Sequence, residues 1–299
     1  MIHVLKCMEL VQRLLRDYSS SLGEKEVMDR QWPYFIMIIR QGVSEEKFWE
    51  WLSVFPVRGV WQIAERTWKV YLENQIEMTK PAFAESLVRG VENNEEWAEK
   101  WRETFQPIRV GKNLSVRPPW EKHQNGTVEV VIYPAYAFGT GDHPTTILCM
   151  EKMECYLKPG MDVLDIGTGS GILAFLACKL GAHRVCALDR DPLSITEVKR
   201  NLILNDINAN RLELILGTPG KVKGAFEMVV ANVGYAFHQY ELDTLTRFLH
   251  EGGFLLLSGV TPFEAKELKK TIQGKVLRLV DESERNEWTI LVYNKVRIR

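Results

Sequence analysis

Residues 163–175 read VLDIGTGSGILAF, and no other stretch of the 299-residue chain constrains the fold as much. An apolar run enters a turn with glycine at 167, 169 and 171, and a second apolar run leaves it. A strand that passes through a glycine-rich turn into a helix is how a parallel α/β sheet offers backbone N–H groups to a ligand. The turn alone does not name that ligand. Dinucleotides, nucleoside triphosphates and S-adenosylmethionine (AdoMet) are all held at such turns, and they ask for different neighbours.

The rest of the C-terminal part supplies the frame. Strand-like runs MDVLDIG, RVCALDR, RLELILG, FEMVVANV and GFLLLSGV are interspersed with helical segments GILAFLACKLGA, PLSITEVKRNLILND and FHQYELDTLTRFLHEG. Such alternation predicts right-handed crossovers and a parallel sheet covered on both faces. A further helical segment, PFEAKELKKTIQG, leads to a sixth run, KVLRLVDESE. Only RNE separates LRLVDESE from WTILVYN, too little for a helical crossover, so the last two strands should form an antiparallel hairpin. Five parallel strands closed by such a hairpin resemble the seven-stranded, Rossmann-like sheet of class I methyltransferases, whose last strand is antiparallel.

The first part of the chain reads differently. Residues 1–18 have helical periodicity, and YFIMIIR, EEKFWEWLSVF, VRGVWQIAE and TWKVYLE read as strand, helix, strand, strand. PAFAESLVRGVENNEEWAEKWRETF reads as helical in parts. The organisation expected is a small N-terminal α+β domain over residues 1–118 and an α/β domain over residues 119–299, with the boundary near the paired prolines 118 and 119. The tryptophans of the first part lie in amphipathic runs and read as core or domain-interface residues.

Composition removes several function classes. A formal net charge of -1 gives no global attraction to nucleic acid, so no direct nucleic-acid binding is expected. The five cysteines form no CxxC pair and the six histidines no HxxxH pair, so no metal site is expected, and a reducing, cytoplasmic setting fits. No stretch approaches the ~18 apolar residues of a membrane span.

The neighbours of the turn narrow the ligand. A dinucleotide fingerprint needs G-x-G-x-x-G, and here the third glycine comes one residue early. Asp189, ending ALD on the second strand, is placed to accept ribose hydroxyls, a feature that NAD and AdoMet sites share. Asp191 precedes Pro192 and reads as a helix N-cap. Asp165, two residues before Gly167, sets a carboxylate beside the turn. It would repel a pyrophosphate and attract the ammonium of AdoMet's methionine moiety. Asn232 ends the fourth strand, where the ligand crevice of such a sheet opens, and its amide suits an amine held there. The competing readings are a turn-capping role for Asp165 and an Asx-turn for Asn232.

Upstream lies YAFGTGDHPTT, residues 136–146, a donor-rich lip before a helical run. The segments AFGTGDHPTT, VLDIGTGSGILA, ALDRDP, VVANV, LSGV and the late EWTILVY occur in an order and approximate spacing that resemble the ribosomal protein L11 methyltransferase (PrmA) family. The resemblance covers residues 93–294, and its distinctive part is the FGTG-HPTT segment. It implies AdoMet contacts at Phe138, Gly139, Thr140, Thr146, Gly167, Gly169, Asp189 and Asn232. It also implies a small N-terminal domain that recognises a protein substrate, a ribosomal protein in the family, and methylation of lysine ε-amines and an N-terminal α-amine. Asn232, Asp142 and Tyr235 are the residues expected at the chemistry. The Asn232 carbonyl would accept from the amine, Asp142 would orient the ammonium, and Tyr235 with Phe138 would wall the methyl site.

Three other readings stand beside this one. Asn232-Val233-Gly234-Tyr235 distantly echoes the Asn-Pro-Pro-Tyr loop of enzymes that methylate planar amines, which would make the acceptor a nucleic acid or a small metabolite. A non-catalytic AdoMet-binding relative would keep the ligand residues without turnover. A nicotinamide-dependent dehydrogenase would share the Asp189 feature.

Overall fold

The computed structural model describes residues 31–296 apart from 53, 56, 73–74, 94–105, 124–125 and 134–140. The helix expected over residues 1–18 lies outside the described residues. The chain divides into two compact units, residues 1–104 and 105–299. The split falls earlier than the expected 118/119, because residues 108–117 form strands that belong to the second unit's core.

In the first unit, β1 (Gln31–Ile39), α1 (Glu45–Leu52), β2 (Val57–Ala64), β3 (Thr67–Leu72) and β4 (Ala84–Asn93) follow one another. The strands form an antiparallel sheet in the order β2-β3-β1-β4. Alternation makes one face: Phe35, Met37 and Ile39 of β1 are buried against Phe48 and Leu52 of α1 and Trp68 and Val70 of β3. Phe48 stacks on Trp68 with ring centroids 5.1 Å apart.

Residues 84–93 correct the sequence reading, which made their segment partly helical. They are a strand, paired with β1 from Gln31↔Asn93 to Ile39↔Ala84. With Val88 and Arg89 exposed, the segment has no continuous apolar face to announce a strand. What decides it is the free edge of β1, whose backbone groups need partners.

The second unit holds a seven-stranded sheet in the order β10-β9-β8-β11-β12-β14-β13, with the parallel strands and closing hairpin that the sequence predicts. Its strands are β8 (Asp162–Ile166), β9 (Arg184–Asp189), β10 (Leu212–Leu216), β11 (Phe226–Asn232), β12 (Leu249–Val260), β13 (Leu277–Arg285) and β14 (Trp288–Lys295). The first five are parallel, and β14 inserts antiparallel between β12 and β13. The helices are α2 (Pro144–Tyr156), α3 (Ile172–Lys179), α4 (Pro192–Leu204), α5 (Tyr235–Arg247) and α6 (Pro262–Ile272).

The central strands are apolar throughout because both faces are covered. Val163, Val185, Met228 and Val230 pack in one cluster with α2 and α3. Leu164, Ile166, Val229 and Ala231 pack in the other with α5 and α6. A three-stranded sheet of β5 (Ile108–Val110), β6 (Leu114–Arg117) and β7 (Val128–Val131) adds Val110, Leu114, Val116 and Val130 to the first cluster. Strand order reverses at β8, so a crevice opens beyond the C-terminal ends of β8 and β11.

Candidate active site

The glycine turn begins where β8 ends. Gly167, Gly169 and Gly171 have φ of 72°, 54° and 86°, backbone that side chains with a Cβ rarely adopt. The turn is anchored on β9: the N–H groups of Gly167 and Thr168 both donate to Leu188 O, at 2.9 and 3.0 Å. Gly171 caps α3 without a side-chain hydrogen bond. A Cβ added at Gly167 would lie 2.5 Å from Val233 Cγ1. Glycine at 167 is therefore required by the loop that follows β11, a constraint the sequence did not show.

Asp189 ends β9 and ties two turns together. Its Oδ2 accepts from Gly169 N at 2.9 Å and its Oδ1 from Asp191 N at 2.9 Å. Each carboxylate oxygen keeps a lone pair for a further donor. Asp191 is the N-cap of α4, accepting from Leu193 N at 2.9 Å, as Pro192 predicts.

Asp165 is 1% exposed. Its Oδ2 accepts from the Thr168 hydroxyl at 2.7 Å, while Oδ1 is buried without a hydrogen-bond partner. Burial pushes its pKa up to about 7, opposed by the Thr168 bond and the backbone N–H of Ala174 and aided by the nearby Asp189 charge. Capping the turn thus accounts for one oxygen of Asp165 and leaves the other.

Asn232 ends β11, level with Ser258 of β12 and one residue past the Ala231↔Ile166 pair with β8. Its Nδ2 donates to Thr146 Oγ1 at 3.4 Å, and its Oδ1 is buried with no partner. Thr146 lies in the first turn of α2, whose N-cap is His143. His143 Nδ1 lies 2.8 Å from Thr145 Oγ1, and its ring meets Trp288 edge-on with centroids 5.3 Å apart. Burial lowers the His143 pKa, against the charges of Asp142 and Glu287. Asp142 is exposed beside this cap. Tyr235 opens α5, half-buried, with its hydroxyl accepting from Gln239 Nε2 at 2.6 Å. Phe138, Gly139 and Thr140 lie outside the described residues.

Two asparagines escaped the sequence reading. Asn201 on α4 and Asn205, the C-cap of that helix, sit one turn apart, 0% and 3% exposed. Asn201 Oδ1 accepts from Tyr133 N at 2.9 Å, and its Nδ2 donates to Ser170 O at 3.0 Å. Asn205 Oδ1 accepts from Val131 N at 2.8 Å, and its Nδ2 donates to Val131 O at 2.6 Å. The pair stitches the chain leaving β7 to the glycine turn. Asparagine is a poor helix-interior residue, so Asn201 was the available signal, whereas an asparagine that ends a helix, as Asn205 does, is ordinary. Among the described residues, no group of three or more His, Cys, Asp or Glu side chains could hold a metal ion.

The site therefore gathers acceptors: two unpartnered buried oxygens, on Asp165 and Asn232, flank a glycine turn tied to Asp189. Their side chains belong to one face of the sheet, the face of α2, since Val163 and Val230 pack in that cluster. Such a site fits a ligand that brings donors and positive charge.

Comparison with known proteins agrees. A ribosomal protein L11 methyltransferase of Caldicellulosiruptor saccharolyticus is 34% identical over 207 residues, 68% of this chain and 67% of that protein. One of Geobacter sp. strain M21 is 35% identical over 239 residues, 76% of this chain and 77% of that protein. A crystal structure of a ribosomal protein L11 methylase from Lactobacillus delbrueckii subsp. bulgaricus superposes with a TM-score of 0.60 at 28% identity, covering 64% of this chain and all (100%) of that one. The profile of the family "Ribosomal protein L11 methyltransferase (PrmA)" matches residues 9–296, so the resemblance extends into the first unit, and the chain belongs to this family of AdoMet-dependent class I methyltransferases.

Proposed function

We propose that this chain transfers a methyl group from AdoMet to a primary amine of a protein, a lysine ε-amine or an N-terminal α-amine, with a ribosomal protein as the substrate. The observation that carries this reading is the pair of buried, unpartnered oxygens on Asp165 and Asn232 around the Gly167 turn. A buried acceptor without a donor costs about 1–3 kcal/mol, and a ligand that supplies donors recovers it. AdoMet brings an ammonium and two ribose hydroxyls, and when bound it supplies a methyl group on a sulfonium.

Each residue then has a stated task. Asp189 keeps a lone pair on each oxygen for the ribose hydroxyls. Asp165 Oδ1 faces the ammonium of the methionine moiety, directly or through water. Gly167 and Gly169 let the ligand approach the backbone, Thr146 lies beside Asn232, and the family resemblance adds Phe138, Gly139 and Thr140 as cofactor contacts. Asn232 Oδ1 accepts a hydrogen bond from the acceptor amine, and Tyr235 walls the approach. Asp142, exposed at the lip, orients the incoming ammonium.

The amine must arrive with a free lone pair, which for a lysine at neutral pH costs about 4–5 kcal/mol. An amide is the right partner there, because a carboxylate in contact would hold the proton on. The first unit, residues 1–104, supplies the substrate-recognition domain. The described cysteines 149, 155, 178 and 186 are free, which fits a reducing, cytoplasmic setting.

The test is transfer of labelled methyl from AdoMet to ribosomal protein and RNA fractions. Mass spectrometry of cellular proteins with and without the chain goes alongside it. Label on lysine or a protein N-terminus is the expected result. Label confined to RNA overturns the acceptor class, and no label in either fraction overturns the activity.

A further inference from the structure

The residue after Asn232 is held by two glycines that come from opposite sides. From β8, Gly167 (φ 72°) meets the side chain: a Cβ there would lie 2.5 Å from Val233 Cγ1. From β12, Gly259 (φ 81°) meets the backbone: a Cβ there would lie 2.5 Å from Val233 O, 2.9 Å from Val233 C and 3.2 Å from Val233 N. The two glycines occupy comparable places. Gly167 follows the end of β8, and Gly259 lies where the pairing of β12 with β14 shifts register between Leu257 and Val260. Neither position accepts a side chain without moving Val233.

A third contact fixes the same level. Ser258 is the cross-strand partner of Asn232 and the residue before Gly259. Its carbonyl accepts from His238 Nε2 at 2.8 Å, and both residues are fully buried. His238 lies in the first turns of α5, so the chain from Asn232 through Val233 to α5 is pinned at both ends. Val233 itself is β-branched, which restricts χ1 and makes it a stiff spacer. Its side chain packs against the cluster of Ile166 and Leu257 and lies over the cofactor turn.

We infer that Val233 is a positioning residue for methyl transfer: clamped between Gly167 and Gly259, it sets the amide of Asn232 relative to the glycine turn. This rests on the reading of the site given above. Asp165, Asp189 and the turn backbone serve the cofactor, and the Asn232 carbonyl serves the acceptor. Val233 touches neither reacting group and fixes the distance between the two halves. A misplacement of about 1 Å at such a point can cost 10²-fold in rate, while the groups that bind AdoMet stay where they are.

The experiment uses the full chain with its protein substrate, AdoMet affinity by calorimetry and single-turnover methyl transfer. Val233→Ala removes both methyl groups over Gly167. It should lower the transfer rate by about tenfold or more, with AdoMet affinity changed less than about twofold. Val233→Thr keeps the branched shape and should restore the rate to within about threefold of wild type. Gly259→Ala should reproduce the Val233→Ala pattern more severely, provided its thermal transition shows a folded protein; Val233→Ala, which only deletes atoms, carries the test if it does not. An active wild type with a Val233→Ala variant that keeps its transfer rate, or loses AdoMet affinity in the same proportion, overturns the inference alone. A wild type that methylates no amine overturns the proposed function itself.

Discussion

On the proposed reading of the site, Asp165 makes AdoMet binding a titration. Its carboxyl is 1% exposed, and burial raises its pKa from 3.8 to about 7. The neutral form offers an ammonium nothing that a carboxylate does, so the form competent for AdoMet is the ionised one. With a pKa of about 7, the ionised fraction falls from about three quarters at pH 7.5 to about one tenth at pH 6. The apparent dissociation constant for AdoMet should rise about eightfold over that interval, ~1.2 kcal/mol, as the population of the competent form falls. Binding should release a proton, because a cation beside Oδ1 draws the pKa down.

The direction for folding follows from the same shift. Between pH 3.8 and about 7 the folded chain holds a proton that the unfolded chain has lost. Stability therefore falls as pH rises through that window, and AdoMet offsets the loss. Asp165→Asn keeps the Thr168 bond and cannot ionise, so its AdoMet affinity should be weaker at pH 7.5 and flat down to pH 6. The assay is calorimetry in two buffers of different ionisation enthalpy, which counts protons directly. It is kept below the α-amino pKa of about 8 so that AdoMet's own ammonium does not titrate. Wild-type affinity that is level from pH 7.5 to 6, or an Asp165→Asn variant with the same slope as wild type, refutes the reasoning.

Glu197 on α4 carries a second raised carboxyl: burial takes its pKa from 4.5 to about 7 against the Arg200 charge, and Oε2 has no partner. Glu197→Gln should stabilise the chain by up to about 3 kcal/mol at pH 8 and not at all below pH 4.5, read by urea unfolding at both pH values; an equal gain at both would rule out ionisation as the cause. Asn205→Ala strips both backbone groups of Val131 of their partner and should cost about 2–4 kcal/mol, seen as a lower urea midpoint with unchanged slope; a loss under 1 kcal/mol would mean that water replaces the amide. Asn232→Ala removes the proposed acceptor for the amine and should slow methyl transfer about 10²-fold with little change in AdoMet affinity; equal losses in both would make Asn232 a cofactor ligand only.

Most of the second unit was legible because its signals are local. Strand–turn–helix spacing gave the parallel order, the three-residue RNE gap gave the hairpin, and Asp191-Pro192 gave a cap that the structure contains. What stayed hidden is set by residues far apart in sequence. β4 is a strand because β1 needs a partner, and β5 to β7 become a sheet because they pack against α2 and α3. Gly259 reads as an ordinary glycine within LSGV, and only the fold brings it against Val233. Asn201 in α4 and Asn205 at its C-cap bind Tyr133 and Val131, partners far away in sequence that only the fold brings to them.

The arrangement of charge along the sheet reconciles two demands that oppose each other. A site for AdoMet must attract positive charge, yet the acceptor amine reacts only after losing its proton. Carboxylates close to the amine would raise the cost already set at about 4–5 kcal/mol. The strands separate the tasks. Asp189 ends β9, and β8 lies between it and β11, so the carboxylate proposed for the ribose stands about 10 Å from Asn232 across the strands. Asp165 is level with Val230, two residues before Asn232, and its unpartnered oxygen is buried. At the end of β11 itself the chain places an amide, which accepts a hydrogen bond without favouring the charged amine. Exposed Asp142 can draw the ammonium to the lip, where water still takes up the proton it must lose. On this argument Asn232→Asp should be worse than Asn232→Ala at neutral pH, although it keeps an acceptor in place. Its rate should recover as pH rises toward the lysine pKa. A faster Asn232→Asp enzyme at pH 7 would mean that the carboxylate works as a base, and that the amide's neutrality is not what the site requires.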